Sequence, residues 1–295
     1  MRLAFAAVML LSTACRKPAP VEPSCHGQRP AQVVFGGDRP VTISVPRAYD
    51  GCPAPLLLVL HGYGSSGKHH ESYLGLDTLV EGQGVLVVSP DGTTDSEGSR
   101  FWNTGSDACC NFHGSTVDDV KYLRELLAEL RGVYNVDPRR IYVVGHSNGG
   151  FMAHRLACEL PGQLAAIVSL AGTRSLTSCQ GPISVLQIHG DRDVGVRFDG
   201  GTNILHKGGG AYPGAEETLS QWARDDRCKP TRTASTPLDL ESTIAGAETT
   251  VSNFEGCPPG TAVTLWTIEG GGHVPTFGPQ FSAQVWGWLA AHPRP

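Results

Sequence analysis

The strongest constraint on the fold is a series of short, unbroken apolar runs spaced along the chain. One reads Leu56-Leu57-Leu58-Val59-Leu60 and another Val85-Leu86-Val87-Val88, with further runs at 141–144, 165–170, 183–188 and 262–268. A strand exposed on one side alternates apolar and polar residues, so a continuous run marks a strand covered on both faces. The segments between the runs carry a different period. Val117, Val120, Leu123, Leu126, Leu127 and Leu130 recur at helical spacing, with Thr116 placed to cap the helix and Asp118 and Asp119 where its dipole favours negative charge. Helices are also predicted over 149–160, 215–223 and 280–291, and short strands at 32–35 and 41–45. Strand–helix alternation of this kind predicts an α/β fold with a mostly parallel central sheet flanked by helices. Ligands in such sheets bind at the carboxyl ends of the strands, so catalytic groups are to be sought there.

Composition narrows the function classes. Among 295 residues, 23 Lys plus Arg stand against 28 Asp plus Glu, a net charge of −5 that argues against a nucleic-acid partner. No apolar run reaches the roughly 18 residues of a membrane span. The first residues read as an address: Arg2, then apolar residues 3–11, then Ser12-Thr13-Ala14-Cys15. Residues 1–14 are therefore expected to be an export signal. Cys15 is the candidate for lipidation, against ordinary cleavage after Ala14. Cysteine parity favours the lipid, because the nine Cys become eight when Cys15 is set aside, enough for disulfides in an oxidising compartment. Residues 15–30 are Pro-rich and read as a tether, leaving 31–292 as one folded domain. Membrane attachment is expected only through a lipid on Cys15.

Gly145-His146-Ser147-Asn148-Gly149 follows the run 141–144 and precedes a predicted helix. This is the strand–turn–helix setting of a nucleophile elbow, in which a strained turn lifts a serine hydroxyl clear of the sheet. A serine hydroxyl needs a base within hydrogen-bond reach. In folds built around this elbow the base follows the last strand, which leaves His273 in Gly270-Gly271-Gly272-His273 and His292 in the C-terminal tail; His273 is the better placed. The acid that orients the base is expected in His189-Gly190-Asp191-Arg192-Asp193, after the run 183–188. Asp193 is the choice, with Asp191 as the competing carboxylate. Two N–H donors must meet the developing oxyanion. They are assigned to Asn148, after the nucleophile, and to Tyr63 in His61-Gly62-Tyr63-Gly64, with Gly64 as the alternative to Tyr63. Together these residues predict acyl transfer through a covalent serine intermediate, with no metal or organic cofactor.

The same segments, with Trp102-Asn103, Cys109-Cys110, Val117-Asp118-Asp119-Val120, His154-Arg155-Leu156-Ala157-Cys158 and Tyr212-Pro213, resemble the polyhydroxybutyrate-depolymerase-like esterases and the related feruloyl and acetylxylan esterases. The resemblance implies a single α/β-hydrolase domain and a secreted serine hydrolase of carboxylic esters, with Ser147, Asp193 and His273 as its triad. The expected partner is a small or polymeric ester, of hydroxyalkanoate or plant-cell-wall type. Val274-Pro275-Thr276-Phe277 departs from the Trp-Pro-Gly that many relatives carry behind the catalytic His. Trp102 is a candidate aromatic platform for substrate, against a packed core Trp. Neighbouring Cys109 and Cys110 are expected to take different partners, with Cys158 suited to one of them, and Cys228 and Cys257 to staple the segment between them as a loop or small hairpin. A catalytically silent binding scaffold and a serine peptidase are the competing functions. The 194–214 loop is expected to form a wall of the pocket.

Overall fold

The computed structural model describes residues 25, 27–175, 178–202 and 209–295. The expected export signal at 1–14, the lipidation candidate Cys15 and most of the expected tether lie outside these residues. Four strands open the described chain: β1 Val34–Phe35, β2 Val41–Ser44, β3 Ala54–Leu60 and β4 Leu86–Val88. After the small hairpin β5 Thr93–Thr94 and β6 Arg100–Phe101 come β7 Val136–His146, β8 Ala166–Leu170 and β9 Ser184–Gly190. A two-stranded ribbon, β10 Gly200–Thr202 with β11 Ala211–Pro213, precedes β12 Arg232–Leu238, β13 Thr249–Phe254 and β14 Val263–Ile268. The main sheet has ten strands in the order β1-β2-β4-β3-β7-β8-β9-β14-β13-β12. Its centre, β4-β3-β7-β8-β9-β14, is parallel throughout, and both flanks are antiparallel.

The apolar runs occupy the parallel centre because every residue of β3, β8 and β9 is buried. Successive side chains of β3 enter opposite cores. Leu56, Leu58 and Leu60 join α3 (Asp119–Val133), α4 (Asn148–Glu159) and α5 (Ala215–Asp225) on one face. Leu57 and Val59 meet α2 (Thr78–Gln83) and α6 (Phe281–Ala290) on the other. A short helix, α1 Gly67–Tyr73, follows the loop after β3, with Ser66 as its N-cap. This is an α/β-hydrolase fold.

Several local expectations are corrected. Helix α3 starts at Asp119 with Asp118 as its cap, accepting from the Lys121 N–H at 2.9 Å, and Thr116 lies outside it. Asp119 turns inward, 2.6 Å from Arg39 and accepting from the Asn103 N–H at 2.7 Å, and this fixes where the first turn begins. Cys228 and Cys257 are disulfide-bonded, and the segment between them forms the hairpin β12–β13, as expected; that hairpin also extends the main sheet at its edge. Cys109 and Cys110 bond to each other, contrary to the expectation of separate partners; a cis peptide bond joins them and their Cα atoms lie 3.2 Å apart. Cys158 therefore pairs with Cys179, in the segment between β8 and β9, and Cys25 pairs with Cys52.

Candidate active site

The site is assembled from four loops at the carboxyl ends of β3, β7, β9 and β14. At the end of β7 the chain reverses into α4 within one residue, and Ser147 takes φ 53° and ψ −118°. An L-residue holds such a backbone only where its surroundings impose it. The flanking glycines make the turn possible: a Cβ on Gly145 would collide with the Gly149 carbonyl, and one on Gly149 with the Leu60 carbonyl. The Ser147 N–H is anchored to Leu170 O at 2.8 Å.

The loop after β14 carries His273 to Ser147. His273 Nε2 lies 3.0 Å from Ser147 Oγ and His273 Nδ1 lies 2.7 Å from Asp193 Oδ2. A carboxylate only accepts, so the His273 proton resides on Nδ1 and the Ser147 hydroxyl donates to Nε2. Asp193 is buried at the end of the β9 loop, and its other oxygen accepts from the Gly195 and Val196 N–H groups at 2.7 and 2.8 Å. Burial alone would raise its pKa, but hydrogen bonds from His189 and His273 outweigh it and hold the carboxyl far below the usual carboxylate range. The competing Asp191 instead caps a turn, accepting from the Gly270 N–H at 2.6 Å. His292 lies beyond α6, its ring bonded to Trp288 O at 2.7 Å.

The two proposed oxyanion donors come from the first residue of α4 and from the loop after β3. Asn148 opens α4, so its N–H has no preceding turn to bond. The Gly64 N–H donates to Arg100 O at 2.8 Å and is thereby engaged, whereas the Tyr63 N–H has no bond to any described residue. Trp102 is not a substrate platform. It is fully buried, and it joins the two donor segments: its indole N–H donates to His61 O at 3.1 Å, and its backbone exchanges bonds of 2.7 and 2.9 Å with the Asn148 side chain. His61, at the end of β3, is a structural group, accepting from the Gly92 N–H at 2.8 Å.

Ser147 and His273 open into a cleft of about 330 Å³ lined by Gly62, Tyr63, Tyr73, His70 and Val274 among others. The described part of the 194–214 loop is not in this lining, and residues 203–208 of that loop lie outside the described residues; α1 and the loop after β14 both line the cleft. Tyr73 ties these two together, its hydroxyl donating to Pro275 O at 2.7 Å. Tyr63 is fixed by a 2.7 Å bond from its hydroxyl to Asp95. Sequence reasoning passed over His70 and His146, both buried beside the triad. The one available signal was the position of His146 next to Ser147 in the elbow. Among the described residues no cluster of His, Cys, Asp and Glu has the arrangement of a metal site.

Fold and site together define a member of the α/β-hydrolase class. The chain belongs to the Esterase family, described as "Putative esterase", whose pattern matches residues 33–247. It is 29% identical to feruloyl esterase B of Piromyces equi over 80% of its own length and 42% of that protein's. To feruloyl esterase D of Neurospora crassa it is 24% identical, over 85% of this chain and 79% of that one. The chain thus spans less than half of the Piromyces relative. Among solved structures, an acetyl xylan esterase from Aspergillus awamori superposes with a TM-score of 0.61 at 16% identity, covering 88% of this chain and 98% of that one.

Proposed function

We propose that this chain is an exported serine esterase that cleaves carboxylic esters through an acyl-enzyme. The observation that carries the proposal is the unbroken line Ser147–His273–Asp193, with bonds of 3.0 and 2.7 Å, at the floor of an open cleft. Ser147 Oγ attacks the ester carbonyl while His273 Nε2 takes its proton. The oxyanion is met by the N–H groups of Asn148 and Tyr63. Collapse of the tetrahedral intermediate expels the alcohol, which receives the proton from His273. Water, deprotonated by the same nitrogen, then attacks the acyl-enzyme and releases the acid and Ser147. Asp193 stays ionised throughout and holds the imidazolium as it forms.

The names of the relatives and the rings of Tyr63, Tyr73 and His70 in the lining favour plant-cell-wall esters with an aromatic acid. Val274, exposed at 63%, directly follows His273 and gives the cleft lining an apolar side chain. Four disulfides among the described residues support an oxidising compartment outside the cytoplasm. Hydrolysis rates on methyl ferulate, acetylated xylan and hydroxybutyrate oligomers separate the substrate classes. Ser147→Ala is expected to abolish turnover and fluorophosphonate labelling while the protein stays folded. Unchanged turnover in that variant would overturn the mechanism, and a wild-type protein that neither turns over esters nor takes the label is a binding scaffold instead.

A further inference from the structure

Behind the nucleophile runs a second line of hydrogen bonds that the proposed reaction does not use. Ser65 Oγ lies 3.0 Å from His70 Nδ1, His70 Nε2 lies 2.9 Å from His146 Nδ1, and His146 Nε2 lies 2.8 Å from the backbone carbonyl oxygen of His273. The rings are in contact as well, with centroids 5.1 Å apart for His70 and His146 and 5.2 Å for His146 and His273.

Elementary acid–base chemistry fixes the protons along this line. A carbonyl oxygen only accepts, so His146 carries a proton on Nε2 and donates it to His273. Burial, reinforced by the neighbouring His273, pushes His146 down to about 4; burial, reinforced by His146, pushes His70 down to about 3. Both rings are therefore neutral at ordinary pH. A neutral His146 leaves Nδ1 bare, so His70 Nε2 donates into it, and His70 Nδ1 accepts from the Ser65 hydroxyl. Every donor then points the same way, from Ser65 through two imidazoles to the main chain of His273. The Gly62 N–H lies 3.3 Å from the same His70 nitrogen, a longer contact than the 2.9 Å one to His146 Nδ1.

We propose that His146 and His70 are positioning residues that tie the loop bearing the Tyr63 oxyanion donor to the main chain of His273. The proposal rests on the triad assignment above. His273 stands in a loop, and its ring must satisfy Ser147 and Asp193 at once. A donor fixed to its own carbonyl holds the loop at the residue that bears the ring. Because the donor is the residue next to Ser147, nucleophile and base are referred to one rigid element, the end of β7.

The test pairs His146→Leu, which fills the space without a donor, with His146→Gln, whose amide can supply the bond to the His273 carbonyl. On p-nitrophenyl acetate, His146→Leu is expected to lose roughly 10- to 100-fold in kcat with little change in KM, and His146→Gln to recover most of the loss. The downfield proton resonance of His273 Nδ1 gives a readout that needs no turnover. It should be broadened or lost in the Leu variant and kept in the Gln variant. A folded His146→Leu with wild-type kcat and an intact resonance overturns the proposal, as do equal losses in both variants. If His146→Leu does not fold, His70→Leu against His70→Gln applies the same comparison one link along. A wild-type protein without ester turnover, whose resonance still distinguishes the paired variants, sinks the esterase proposal and leaves the positioning role standing.

Discussion

At Ser147 a single backbone conformation does the work that a longer loop would otherwise do. With φ 53° the chain turns from β7 into α4 within one residue, and the N–H of the next residue, at the first position of α4, has no preceding turn to bond. The proposed nucleophile and one proposed oxyanion donor are thus products of the same turn. Asp193 acts one step further back, by fixing which nitrogen of His273 carries the proton. Asp193→Asn keeps the size of the side chain but offers an N–H where an acceptor is needed, so His273 is driven toward the wrong tautomer. Its kcat on a p-nitrophenyl ester is expected to fall roughly 10⁴-fold with the melting temperature nearly unchanged. A loss under about tenfold would mean that Asp193 does not orient the base. These residues are legible in the sequence because chemistry restricts them to particular types at strand ends, in a fixed chain order. The burial of Trp102 was not legible, since whether an aromatic faces solvent or core depends on loops distant in sequence.

Helices and strands contribute through a buried polar line that ends at Asp193. The Trp222 indole N–H on α5 donates to His154 Nδ1 on α4 at 3.0 Å, and His154 Nε2 donates to Gln187 Oε1 on β9 at 3.0 Å. The Gln187 amide then donates to Gly172 O at 2.8 Å and to His189 Nδ1 at 3.1 Å, and His189 Nε2 donates to Val196 O at 2.7 Å, beside Asp193. Each partner's role follows from the indole, which can only donate. Burial holds His154 neutral, with its pKa pushed down to about 3. Gln187→Leu preserves volume but strips His154 and His189 of their partner. Urea unfolding of that variant is expected to show a loss of roughly 1–3 kcal/mol per orphaned group; a midpoint equal to wild type would show that the line is immaterial to stability. The strands that make the core were readable as apolar runs, whereas β12 and β13 were not. β12 is largely exposed, lies at the sheet edge and reads Arg232-Thr233-Ala234-Ser235-Thr236-Pro237-Leu238, with no apolar period to mark it. Helices α1 and α2, of 7 and 6 residues, are too short to establish a helical period.

For the molecule as a whole, the disulfides and one buried carboxyl set how stability responds to conditions. The Cys228–Cys257 bridge spans 29 residues and closes the hairpin that ends the sheet. Replacing both cysteines with Ser is expected to cost roughly 2–4 kcal/mol in urea unfolding, mainly by freeing the unfolded chain. A pH response is expected from Asp226, at the C-cap of α5, which is buried against the main chain at Ile183 with Asp225 beside it. Burial, reinforced by the Asp225 charge, pushes its pKa up from 3.8 to about 7. The folded protein therefore keeps a proton that the unfolded chain releases near the ordinary carboxyl value. Where the native state binds more protons than the unfolded state, stability falls as pH rises. The contribution of Asp226 is thus full below the unfolded value and lost as pH climbs through about 7. Asp226→Asn has no proton to lose at this site, while every other titrating group is common to both proteins. The difference in melting temperature, variant minus wild type, is expected to widen from about pH 4 to pH 7 in favour of the variant and then level off. A difference that stays flat across that range would mean the carboxyl is ionised in the folded state at all these pH values, and that the end of α5 admits water to it.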